Sequence, residues 1–121
     1  MVIGHGGMGL DQIMSIYHDN SFESIDLALQ FPGINGCEVD VQMDFDGELW
    51  LCHDVDLSSA LGVDTSIPEC HTLFLEELVY QTIHEEKLCK LRDVIHLFDN
   101  SMHLFVDLKS YDQSSGIIVE P

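Results

Sequence analysis

The sequence predicts an α/β fold, with a sheet that is parallel in large part and helices packed against it. Three observations predict it. Segments of two-residue apolar period alternate with segments of helical period, the order that builds parallel sheets. Turn residues such as Pro32-Gly33 and Asp46-Gly47 separate these segments. The composition, 45% hydrophobic and 21% charged, supports a packed core and excludes a disordered chain. At 121 residues the chain has room for one small domain.

Each element has its own signal. Residues 1–5 read as a short strand that opens into the glycine-rich loop His5-Gly6-Gly7-Met8-Gly9. Over residues 20–31 the period turns helical. Phe22, Ile25, Leu27, Ala28, Leu29 and Phe31 build an apolar face behind Asn20-Ser21 as candidate caps, and Pro32-Gly33 ends it. Residues 37–41 alternate strictly, with Cys37, Val39 and Val41 on one side and Glu38 and Asp40 on the other. The Asp46-Gly47 turn leads to a strand over 48–53, and residues 54–71 read as a loop. Residues 73–83 and 91–98 carry helical patterns. Residues 104–108 form a further alternating strand, with Asp107 and Lys109 on one side. Residues 110–121 fit no single state. No repeat, low-complexity tract or linker divides the chain.

Charge narrows the function classes. Four Lys and Arg stand against 22 Asp and Glu, a formal net charge of -18. Nucleic acid is excluded as the expected partner, because phosphate binding needs cations to displace condensed counterions. A polybasic membrane contact is excluded for the same reason. No run of about 18 apolar residues forms a transmembrane helix. Residues 1–5 show no basic and apolar leader, so no signal peptide is expected in this chain. Cys37, Cys52, Cys70 and Cys89 form no C-x-x-C pair, which argues against a zinc ribbon or a redox dithiol. Cys37 and Cys52 sit in strand-like runs as small core residues, and a reduced, cytoplasmic setting is favoured.

The acidic residues on strands carry the chemistry. A sheet covered by helices on both faces wants near-continuous apolar strands, yet Glu38, Asp40 and Asp107 interrupt two of them. A lone E-x-D more often marks the solvated face of an edge strand. Asp107 on a distant strand changes that balance. Buried carboxylates need a cation, a base or a wet cavity, and three that converge raise one another's pKa. A hard divalent ion relieves this, and oxygen-only ligands suit Ca²⁺ or Mg²⁺ better than zinc. His5 and His53 each end a strand-like run. Alone, each is an ordinary cap. Beside a carboxylate cluster, two groups that titrate near neutrality can serve as base and acid of one reaction.

Other motifs carry less. The segment Gln42-Met43-Asp44-Phe45-Asp46-Gly47 is similar to an EF-hand loop but fails at its first and twelfth positions. His84-Glu85-Glu86-Lys87-Leu88 lacks the second histidine of H-E-x-x-H, and Cys70-His71 has no matching ligand pair. Residues 4–9 do not match a dinucleotide loop. His18, His96 and His103 read as surface or cap residues, Met8, Met14, Met43 and Met102 as packing, and Trp50 as core.

Six short motifs in order resemble one family, the glycerophosphodiester phosphodiesterases: Ile3-Gly4-His5-Gly6-Gly7, the asparagine-led Asn20-Ser21-Phe22-Glu23-Ser24-Ile25, Glu38-Val39-Asp40-Val41, Asp46-Gly47, His53-Asp54, and Asp107-Leu108-Lys109. Each is weak alone. Together, over residues 2–110, they are specific. The resemblance implies a (β/α)8 TIM barrel, of which residues 1–121 would be a partial domain. A whole barrel takes about 250 residues, so the chain would hold the first half, roughly four parallel strands with their helices. It implies Glu38, Asp40 and Asp107 as metal ligands, His5 and His53 as the acid/base pair, and Lys109 beside the substrate phosphate. It implies Ca²⁺ or Mg²⁺ as cofactor, and hydrolysis of a glycerophosphodiester to glycerol 3-phosphate and an alcohol in lipid and glycerol metabolism. The missing barrel half or another chain is an expected partner, because an open half-barrel exposes a strand edge.

Three positions depart from the family pattern. Gly6 replaces an arginine that would grip phosphate. Asp19 replaces a longer acid, and Asp107 stands where glutamate is usual. An aspartate there is similar to the phospholipase D/sphingomyelinase D enzymes of spider venoms, which keeps action on lipid phosphodiesters as one alternative. A non-catalytic metal- or partner-binding fragment is the other.

Overall fold

In the computed structural model, residues 17–98 and 102–109 are described in full, and residues 2–5, 110, 111, 118 and 119 as backbone strands. The main sheet is built on one long strand, β2 (Ile34–Met43). Strand β1 (Val2–His5) runs parallel to its first half, with His5 opposite Glu38. Strand β5 (His103–Leu108) runs parallel on the opposite edge, with Asp40 level with Asp107. Of the half-barrel expected from the motifs, the described residues hold the parallel set β1-β2-β5, three parallel strands rather than about four.

The remaining main-sheet strands depart from the parallel expectation. Strand β3 (Leu49–Leu51) returns antiparallel along the end of β2, and β4 (Cys89–Lys90) pairs antiparallel with β3. The Asp46-Gly47 turn is the cause. Gly47 has φ +94, and a turn this tight returns the chain beside the strand it left, which forces antiparallel pairing. A small antiparallel pair, β6 (Ser110–Tyr111) and β7 (Ile118–Val119), follows β5.

Helix α1 (Phe22–Leu29) starts where a cap was expected, but Ser21 alone does the capping, its Oγ accepting the Ser24 N–H at 3.1 Å. The alternation in β2 sorts its side chains. Cys37, Val39 and Val41 pack with Ile25, Leu51, Cys89 and Val94 into one hydrophobic cluster. Glu38 and Asp40 leave the other face.

Residues 44–90 form an excursion with its own core of Trp50, Cys52, Leu57, Leu61, Ile67, Cys70, Leu75, Tyr80 and Leu88. Its helices are single turns, α2 (Ser58–Leu61) and α3 (Thr72–Leu75). The helix expected over 73–83 therefore ends almost at its start. Val79 bridges Lys87 and the Tyr80 N–H donates to the Glu86 carbonyl, so the chain doubles back. The branched residues Val79, Thr82 and Ile83 resist continued helix, and Leu73 and Ile83 point outward. The segment over 91–98 is helical only in α4 (Leu91–Val94), followed by a 3-10 turn over Ile95–Leu97.

All four cysteines are buried thiols, as the core reading of Cys37 and Cys52 requires, and burial pushes the Cys52 thiol up to about 12. Met43 is half-exposed rather than packed. His18, read as a surface residue, stacks on the Tyr80 ring. Met8 and Met14 lie outside the described residues. Among the described residues, no helix is long and apolar enough to cross a membrane.

Candidate metal centre

The parallel register of β2 and β5 brings the three acidic residues together. Glu38 and Asp40 share a face because they are two apart, and Asp107 is the register partner of Asp40 on the next strand. One carboxylate oxygen from each of Glu38, Asp40 and Asp107 lies within 4.8 Å of the others. Asp40 is buried, and the other two are half-buried.

Asn20 and Lys109 contact this cluster. The Asn20 amide grips Asp40 twice: its Nδ2 donates to Asp40 Oδ2 at 3.1 Å, and its Oδ1 accepts the Asp40 N–H at 3.0 Å. Lys109 sits two residues beyond Asp107 on the same face, and its Nζ meets Asp107 Oδ2 at 2.6 Å. The Lys109 N–H also donates to the Val41 carbonyl, which fixes the end of β5 against β2.

The donor set fits a hard cation. It offers oxygens only, from carboxylates that repel one another when empty-handed, and one of them is buried and oriented by a neutral amide. A soft ion would want the thiols, and all four lie in hydrophobic surroundings.

His53 lies just past β3 and is 63% exposed. The backbone on either side of it is held by β2. The Cys52 N–H donates to the Asp40 carbonyl at 2.9 Å. The Gln42 Nε2 donates to the Cys52 carbonyl at 2.9 Å and to the Asp54 carbonyl at 2.8 Å. One strand thus supplies two of the three carboxylates and anchors the segment carrying His53. For His5 only the backbone is described, at the end of β1 opposite Glu38. Its side chain, and the loop containing Gly6, lie outside the described residues.

Sequence reasoning passed over Asn20 and Gln42 as site residues. Asn20 reads as a helix cap, though its left-handed φ of 61° turns its amide toward Asp40 instead. Gln42 continues the polar period of Glu38 and Asp40, yet it is 1% exposed. A buried amide two residues after an E-x-D was the available signal.

Comparison with known proteins bears on the sequence pattern and the fold. A sequence model of the glycerophosphoryl diester phosphodiesterase family matches residues 5–117. Among solved structures, a glycerophosphodiester phosphodiesterase from Thermotoga maritima is 27% identical with a TM-score of 0.71, over 90% of this chain and 43% of that one. An Oleispira antarctica phosphodiesterase, solved with the product sn-glycerol-3-phosphate, is 29% identical with a TM-score of 0.71, over 89% of this chain and 44% of that one. A glycerophosphoryl diester phosphodiesterase from Parabacteroides distasonis shares the fold at 19% identity and a TM-score of 0.73, over 94% of this chain and 40% of that one. The chain thus spans less than half the length of these structures. A comparison with curated proteins gives no match. With the family pattern matched over nearly all of its length and the fold shared, the chain belongs to the glycerophosphoryl diester phosphodiesterase family.

Proposed function

We propose that the chain carries the metal centre and acid/base pair of a hydrolase that cleaves glycerophosphodiesters to glycerol 3-phosphate and an alcohol. The convergence of Glu38, Asp40 and Asp107 carries this reading. These three would hold Ca²⁺ or Mg²⁺, which when bound supplies Lewis-acid polarisation of the phosphoryl oxygens and offsets charge in the transition state. The product sn-glycerol-3-phosphate in the Oleispira antarctica structure supports a substrate that contains a glycerol phosphate group.

The chain's own residues supply the rest. Asn20 keeps Asp40 aimed at the centre through its paired hydrogen bonds. Lys109 donates to a phosphate oxygen with the protons it does not give to Asp107. This local positive charge matters because a chain at -18 repels an anionic substrate at long range. One of His5 and His53 takes the proton of the attacking water as its oxygen bonds to phosphorus. The other protonates the alcohol oxygen as its bond to phosphorus breaks.

Calorimetric titration of the chain with Ca²⁺ and Mg²⁺, beside an Asp40→Asn control, tests the centre. One site that disappears in the control is expected, and a folded chain that binds neither ion overturns the reading. Hydrolysis of glycerophosphocholine then tests the reaction: glycerol 3-phosphate and choline are expected. Metal binding without turnover would replace the enzyme by the non-catalytic metal-binding alternative.

A further inference from the structure

A buried carboxylate remote from the metal centre is connected to it through the backbone. Glu86 is 1% exposed and lies in the excursion, in the loop that returns from Tyr80. Its Oε2 accepts the His18 N–H, and its Oε1 accepts the Thr82 hydroxyl. The His18 ring stacks on Tyr80 at 3.7 Å between centroids and 13° between planes, so two contacts fasten the same residue. His18 opens a turn: its carbonyl accepts the Ser21 N–H at 3.3 Å and the Ser21 Oγ–H at 2.6 Å. Inside that turn is Asn20, whose amide grips Asp40.

Backbone conformation singles out the same two places. Among the described residues, two non-glycine residues have positive φ, Asn20 at 61° and Glu85 at 48°. One presents the amide to Asp40, and the other precedes Glu86. Such conformations are unfavourable for residues with a Cβ and persist where surrounding contacts hold them.

We propose that Glu86 is a positioning residue for the metal centre: by holding the His18–Ser21 turn, it sets the Asn20 amide that orients Asp40. The excursion carrying His53 is thereby locked to the carboxylates by a contact separate from β3. This deepens the proposed function and rests on Asp40 being a metal ligand. Residues that orient a ligand typically change metal affinity by about 10–100-fold when removed.

The test uses the whole chain and Ca²⁺ alone. Glu86→Ala is expected to weaken Ca²⁺ binding about tenfold, and Glu86→Gln, which keeps an acceptor, by less. Asn20→Gly keeps the left-handed backbone and removes the amide. If both act on one path, Asn20→Gly with Glu86→Gln binds no more weakly than Asn20→Gly alone. Losses that multiply, or unchanged affinity in both Glu86 variants, overturn the proposal. If Glu86→Ala does not fold, Glu86→Gln with Trp50 fluorescence unchanged decides the same question. A metal-free readout separates this inference from the function beneath it. The Asn20 side-chain amide protons should shift by NMR in Glu86→Gln, and no shift overturns the latch. A wild-type chain that binds no Ca²⁺ overturns the metal centre instead.

Discussion

Buried acids occur in two regions of this molecule, and they are treated in opposite ways. In the excursion, Asp44 is 4% exposed and nearly encircled by donors. Its Oδ1 accepts the Asp46 and Glu48 N–H groups at 2.8 and 2.9 Å. Its Oδ2 accepts Trp50 Nε1–H at 2.9 Å and the Thr72 hydroxyl at 2.5 Å. Burial pushes its carboxyl up, but the hydrogen bonds from Thr72, Trp50, Glu48 and Asp46 outweigh this and hold it below the ordinary range. On the sheet, by contrast, Glu38, Asp40 and Asp107 turn their oxygens toward one another. A carboxylate saturated by backbone and indole donors is a staple for a turn. Carboxylates that converge on a shared point make a place for a cation. Acid content alone does not separate the two; the identity of the neighbouring groups does.

The sharpest way to break this comparison acts on the chemistry. His53→Ala should lower turnover of glycerophosphocholine by about 10²–10⁴-fold, the usual range for a lost proton-transfer group. Its Ca²⁺ affinity should stay near the wild-type value, because His53 is 63% exposed and its Nδ1 lies 3.8 Å from the Asp54 carboxylate, which is not one of the three that converge. Turnover equal to wild type would remove His53 from the acid/base pair.

Exchanging the two kinds of acid comes next. Asp40→Asn should abolish Ca²⁺ binding while leaving the metal-free melting temperature equal or higher, since it relieves repulsion among like charges. Asp44→Asn should do the reverse. It weakens several charge-assisted hydrogen bonds in the excursion, for a loss of about 2–3 kcal/mol by urea unfolding, and leaves Ca²⁺ affinity unchanged. A destabilised Asp40→Asn, or a metal-blind Asp44→Asn, would show that the division between staple and site is misdrawn.

The staples also set a pH dependence. For Glu86, burial pushes upward, but the Thr82 hydroxyl and the His18 N–H win and hold the carboxyl low. Folded pKa values of Asp44 and Glu86 lie below their ordinary 3.8 and 4.5. Each therefore contributes stability that is present above its unfolded pKa and lost as pH falls through its folded pKa. Unfolding free energy should fall between about pH 5 and the acid limit, and the fall should be shallower in Asp44→Asn. An equal slope in both chains would deny Asp44 this role.

How much of this was legible depends on the range of the contacts. The two-residue period exposed Glu38, Asp40 and Asp107 on their strands, and the parallel register then made them meet, so the carboxylate centre could be read from the sequence. Helix α1 was legible because Ser21 caps it locally. Asn20 was not, because its partner lies 20 residues on. Gln42 looked like part of a failed calcium loop, while its amide in fact serves the carbonyls on either side of His53. The excursion was the least legible part. Its folding rests on contacts such as Tyr80 with Glu86 and Trp50 with Asp44, which no short-range period encodes.

The smallest expected effect bears on that misreading. A helix over 73–83 would place Leu73 and Ile83 on faces that the apolar pattern assigns to a core. In the structure they are 78% and 95% exposed, and the core takes Leu75 and Tyr80 instead. Ile83→Ser should therefore change stability by no more than about 0.5 kcal/mol, as for an ordinary surface site. Leu75→Ala, eight residues earlier in the same apolar run, should cost about 2–5 kcal/mol through lost burial and the cavity left behind. Urea midpoints of the two variants measure the difference directly. Comparable losses would restore the helix. A loss confined to Leu75→Ala would show that the period in this segment is incidental, and that the doubling-back of residues 79–87 decides which side chains are buried.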